Sequence, residues 1–113
     1  MMVTQLGMIP FCSEEYRFTR EEWKAIAAIA SGMARQNAKF PINTHTPEKW
    51  QVILGEEFGE VAKEVYDLAV HPIAEPGTYG HQGLRARYRD ELRDVAAVAA
   101  AAIADDLTRN KGA

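Results

Sequence analysis

Two short acidic segments constrain this chain most. Glu56-Glu57-Phe58-Gly59-Glu60 and Glu91-Leu92-Arg93-Asp94 each set two carboxylates three residues apart, Glu57/Glu60 and Glu91/Asp94. On a helix, residues at that spacing project from one side. Two such helices packed together bring four carboxylates to one place, an arrangement that is costly unless a cation sits among them.

The remaining punctuation predicts an all-α chain. Thr19-Arg20-Glu21-Glu22 fits a capping box and opens a helix over 20–36, whose apolar stripe is Trp23, Ile26, Ala27, Ala30 and Met33. A loop over 37–46 follows, carrying Lys39, Phe40, Asn43 and His45, with Pro41 as the breaker. Thr46-Pro47-Glu48 starts a second helix over 47–70, which stops at His71-Pro72. The Gly- and Pro-rich stretch 72–83 reads as a connecting loop, and a third helix is expected from Leu84 to Asn110. Its middle, 95–104, is mostly alanine, which allows close approach on more than one side. Residues 1–18 show no period and read as an irregular arm ahead of a single domain over 19–113. Leu6, Met8, Ile9 and Phe11 of the arm are expected to pack on the body or on a partner subunit. Three main helices present more apolar surface than one subunit covers. A homodimer, or a dimer of dimers, with a four-helix core built across the interface is therefore expected.

Composition narrows the function classes. A chain of 113 residues with 47% apolar and 26% charged residues is ordinary globular material. Its net charge of -3 lacks the basic face of a general nucleic-acid binder. The longest charge-free apolar run, 95–104, is about half a membrane span. Cys12 is the only cysteine, so no intrachain disulfide forms, and no signal peptide is evident; a cytoplasmic protein is expected. No GxxxxGK[ST] phosphate loop, GxSxG elbow or Cys–His arrangement is present.

On a helical wheel the second helix shows the stripe Trp50, Leu54, Phe58, Val61, Val65 and Leu68. Glu57 falls roughly 60° and Glu60 roughly 120° from its centre, with Glu64 between them. Glu56 and Lys63 point to the opposite face. The third helix has the stripe Leu84, Tyr88, Leu92, Val95, Ala99 and Ala102, with Glu91 and Asp94 at the same two offsets. The competing reading is that Glu57 and Glu91 pair with Arg85, Arg87, Arg89 or Arg93 at the rim of the core. Carboxylates without histidine or cysteine select hard cations, Mg²⁺ or Mn²⁺, and magnesium held by acids keeps positions open for water and phosphates. The local chemistry points to a phosphorylated ligand, with metal-activated water as the economical nucleophile.

Glu56-Glu57-Phe58-Gly59-Glu60 with Glu91-x-x-Asp94 resembles the EExxE…ExxD signature of the MazG-like, all-α nucleoside triphosphate pyrophosphohydrolases. Arg35-Gln36-Asn37-Ala38-Lys39-Phe40, His45-Thr46-Pro47-Glu48-Lys49-Trp50 and Tyr88-Arg89-Asp90-Glu91-Leu92 extend the likeness to short, single-domain members from bacteria and phages. The resemblance implies Mg²⁺-dependent hydrolysis of a nucleoside triphosphate to the monophosphate and pyrophosphate, in nucleotide-pool control or removal of aberrant nucleotides. Carried over by position, Glu57, Glu60, Glu91 and Asp94 would hold the metal. Glu57, Glu60 and Glu64 would form the catalytic group, with Glu64 or Glu60 orienting water. Lys39, Trp50, Arg85, Arg87 and Arg89 would bind substrate, the cations at phosphate and Trp50 either on the base or, as the commoner role, in the core. Glu56 matches the first acid of the signature but points outward. The thirty residues between Glu60 and Glu91 lie towards the long end for this signature. A dUTP- or phosphoribosyl-ATP-type pyrophosphohydrolase, or a non-catalytic helical dimerisation module that binds nucleotide or metal, are the alternatives.

Overall fold

The computed structural model describes residues 17–41, 43–71 and 75–111. These are 82% helical and contain no strand, which makes the protein all-α. The helices are α1 (Arg20–Lys39), α2 (Pro47–Val70) and α3 (Tyr79–Arg109). The arm expected over 1–18 lies outside the described residues apart from Arg17 and Phe18.

A threonine opens each helix. At α1 the Glu22 amide donates to Thr19 Oγ1 (3.1 Å) and the Thr19 amide donates to Glu22 Oε1 (2.7 Å), a reciprocal capping box. Thr46 caps α2 by accepting from the Lys49 amide at 3.2 Å, with Pro47 supplying a preset first turn. Both helices also carry an aromatic clasp between the residue before the cap and the fourth helical residue. Phe18 meets Trp23 with ring centroids 4.9 Å apart, and His45 meets Trp50 at 4.8 Å, both edge to face.

Two boundaries differ from the sequence reading. α1 runs three residues further, so Asn37, Ala38 and Lys39 are helical. α3 starts at Tyr79, five residues before Leu84, because Thr78 is a third cap: its Oγ1 accepts from the His81 amide at 3.0 Å and donates to the Glu75 carbonyl at 2.8 Å. Gly80, His81 and Gly83 therefore sit inside a helix rather than in a loop. Gly77, at φ 84°, supplies the left-handed backbone of the turn that precedes the cap.

α3 lies in the middle. α1 packs on one side of it and α2 on another, while among the described residues the axes of α1 and α2 make no contact. This explains the alanine segment: Ala97 and Val98 are buried, and 95, 96 and 99–102 are half-buried. Gly32 sits where α1 crosses α3, and a Cβ there would stand 3.4 Å from that of Ala97. The residue that weakens α1 as a helix thus lets it approach.

The packing face of α2 is turned relative to the wheel. Phe58 and Val65, on the expected stripe, are 61% and 49% exposed, whereas Glu64 is 4% exposed. The inward line is Trp50, Ile53, Leu54, Glu57, Val61, Glu64 and Leu68. Polar partners on α3 explain the turn: Asp105 takes the Trp50 indole and Arg87 takes Glu64. On α3 the same shift leaves Leu92 40% exposed. No helix among the described residues is long and apolar enough to cross a membrane.

Candidate metal centre and adjoining cavity

Turning α2 brings its acids to α3 directly. One carboxylate oxygen each from Glu57, Glu91 and Asp94 lie within 4.8 Å of one another, all three side chains half-buried. Glu57 comes from the middle of α2; Glu91 and Asp94 come from successive positions on one side of α3, as the three-residue spacing requires. Glu60 is exposed and its oxygens do not join this set. Its charge is nevertheless felt by both Glu57 and Glu91.

The electrostatics are those of a cluster left uncompensated at Glu57 and Glu91. The Glu57 carboxyl is held above its ordinary value, first by burial and then by the charges of Asp94 and Glu91. Glu91 is raised by burial and then by Asp94 and Glu60. The cation at hand is Arg93, whose Nη2 lies 3.0 Å from Asp94 Oδ1 and whose Nη1 lies 3.4 Å from Asp90. The rim pairing of Glu57 and Glu91 with Arg85, Arg87, Arg89 or Arg93 is not formed among the described residues. Three convergent oxygens from carboxylates alone fit a hard divalent ion in donor type and spacing.

Other sequence candidates divide by position. Glu64 is committed to Arg87, whose Nη2 lies 3.0 Å from Oε1 and donates to Oε2 at 3.1 Å; Asp67 stands 3.6 Å from the same nitrogen. Oε1 receives charge but no well-aligned hydrogen bond. Glu64 and Arg87 are thus paired with each other, away from the three converging oxygens. Arg85 lies over the Tyr88 ring at 5.3 Å. Arg89 lines a groove between α1 and α3 with Glu21, Lys24 and Ala28, on the α1 side of the molecule. Lys39 lies over Phe40 at 5.4 Å. Glu56 is exposed, as the wheel places it.

Trp50 is a core residue, 6% exposed, with its indole N–H donating to Asp105 Oδ2 at 2.8 Å. The same oxygen accepts the His45 backbone N–H at 2.9 Å, and Oδ1 accepts from Arg109 Nε at 3.0 Å. These partners hold the Asp105 carboxyl below its ordinary value, the His45 amide first and the Trp50 indole next. Sequence reasoning missed Asp105. A buried tryptophan needs an acceptor for its N–H, and that requirement was the available signal.

A cavity of about 330 Å³ adjoins the cluster. Gln36, Phe40, Asn43, His45, Ile53 and Glu57 line it, over a floor of Trp50 and Val98. Glu57 belongs to both the cavity and the acidic cluster. Comparison of the chain with protein-family models, with curated proteins and with solved structures finds no match to any of them.

Proposed function

We propose that this chain is a MazG-like nucleoside triphosphate pyrophosphohydrolase that works with Mg²⁺ or Mn²⁺ in the cytoplasm. The observation that carries the reading is the convergence of Glu57, Glu91 and Asp94 oxygens from two helices, with their repulsion unrelieved by a bound cation side chain at Glu57 or Glu91. Glu57, Glu91 and Asp94 would hold the metal, with Glu60 at the rim. When bound, a divalent ion offsets the triphosphate's charge and lowers the pKa of water.

The chain's own residues divide the remaining work. Glu60, an exposed carboxylate beside the cluster, is the group placed to take the proton from attacking water. The oxygen–phosphorus bond to water forms as the bond to pyrophosphate breaks, and pyrophosphate leaves as the anion. Lys39, which lies over the ring of the cavity residue Phe40, is the cation for phosphate. The nucleoside end occupies that cavity, which shares Glu57 with the cluster. The uncovered line of Phe58 and Val65 on α2, with Tyr66 beside it, supports a homodimer as the working form.

Pyrophosphate release from a panel of ribo- and deoxyribonucleoside triphosphates with Mg²⁺ tests the assignment, with light scattering on the same preparation. Turnover should fall by about 100-fold or more in Glu57→Gln and far less in Glu56→Gln. Absence of turnover of every member by the wild type would remove the enzymatic reading.

A further inference from the structure

The acidic cluster says nothing about which nucleoside is read, but one side chain in the adjoining cavity has a fixed polarity. His45 Nε2 lies 3.0 Å from Asn43 Oδ1. An amide oxygen can only accept, so in this pair Nε2 carries the proton and donates to Asn43 Oδ1. Among the described residues, Asn43 Nδ2 donates to nothing.

His45 is itself held on two sides. Its backbone N–H is bound to Asp105, and its ring stands edge-on to Trp50 at 81°, whose indole is bound to the same carboxylate. The orientation of the Asn43 amide thus descends from a buried carboxylate on α3 through two aromatic rings. Gln36, the other amide in the cavity, has no side-chain hydrogen bond fixing it among the described residues, so it adapts to donor or acceptor alike.

We propose that Asn43 reads the base: its amide N–H, oriented by His45, selects a nucleobase with a carbonyl oxygen at position 4 of a pyrimidine or position 6 of a purine. This rests on the nucleotide reading of the preceding subsection and adds the class of base. Uracil and thymine offer O4 and guanine offers O6 to the donor. Cytosine and adenine set an amino group at the same place, donor against donor. Phe40 gives the ring an apolar wall and Glu57 ties the cavity to the triphosphate end.

The test compares dUTP with dCTP, which differ at position 4 of the ring. Steady-state kcat/KM with Mg²⁺ is measured beside binding of dUMP and dCMP, followed by NMR in metal-free buffer. Wild type should favour the uracil member by about tenfold or more in both readouts. Asn43→Ala should level the pair, and Asn43→Asp, an acceptor, should invert it. Helical circular dichroism checks each variant, and the inversion suffices if the alanine variant does not fold. Equal hydrolysis of dUTP and dCTP by the wild type, or a preference surviving in both variants, would overturn the assignment and leave the hydrolase standing. No turnover, with dUMP still preferred through Asn43, would overturn the hydrolase and keep the base assignment. Failure of both nucleotides to bind or react would overturn both.

Discussion

Neutralising Glu57 should make the metal-free protein more stable. The three ligand oxygens lie within 4.8 Å of one another. At that distance two unit charges repel by about 0.9 kcal/mol in a water-like medium and about 3.5 kcal/mol at an effective dielectric of 20. The side chains are half-buried, so the water-like end applies. Glu57→Gln removes its repulsion with both Glu91 and Asp94, about 2 kcal/mol before screening. Physiological salt, with a Debye length of about 8 Å, leaves roughly half or more. The net expectation is about 1–2 kcal/mol, or a rise of about 4–8 °C in Tm for a chain of this size. The pH dependence has the same sign. A carboxyl raised in the folded state above its unfolded value near 4.5 binds protons more tightly when folded. It costs stability at neutral pH, and that cost disappears as the pH falls from the folded pKa to the unfolded one. Thermal melts of wild type and Glu57→Gln in EDTA at neutral pH measure the difference. Adding Mg²⁺ should then raise the wild type more than the variant, because binding to the folded form alone stabilises it. A variant that melts below wild type in EDTA would refute the account of the cluster as strained by its own charge.

Two further perturbations probe the supports of the site. Arg87→Met strips the buried Glu64 of its cation and should cost about 2 kcal/mol in urea unfolding, below the usual 3–5 because Arg87 is more than half exposed. Adding Glu64→Met should recover most of the loss, whereas a single variant within about 0.5 kcal/mol of wild type would refute a structural role for the pair. Asp105→Asn should lower Tm at pH 7. Because the Asp105 carboxyl is depressed when folded, its contribution is full above the unfolded value near 3.8 and is lost as the pH falls through the lower folded value. The gap between wild type and variant should close in acid, and a gap of constant size would refute the assignment.

Local signals in the sequence carried further than facial ones. Thr46-Pro47 and His71-Pro72 mark the ends of α2 because capping is a contact among near neighbours in the chain. The same chemistry operates at Thr78, where Gly80 and Gly83 disguise it: glycine weakens a helix but does not forbid one, and α3 gains its stability from packing on two sides. The facing of α2 could not be read from hydropathy. A wheel puts Phe58 and Val65 on the inward stripe and Glu64 off it, between Glu57 and Glu60, whereas buried partners draw Glu64 in and leave Phe58 and Val65 exposed. The acid pairs were readable because three-residue spacing fixes their side of each helix. That Glu60 stays outside the cluster depends on the relative rotation of two helices, which no single stretch encodes. The Asp105 network joins positions 55 and 60 residues apart, beyond any local pattern.

That separation also orders events on the ribosome. At about 5–20 residues per second, the Trp50 indole and the His45 amide are made roughly 3–12 seconds before Asp105. Over that interval α2 can coil from its own cap, yet its first turn has two donors and no carboxylate to receive them. Glu91 and Asp94 are translated before Asp105, so the acids of the cluster are all present while the cavity beside it is still unpinned. The last acid of the cluster is thus made before the carboxylate that pins the cavity beside it.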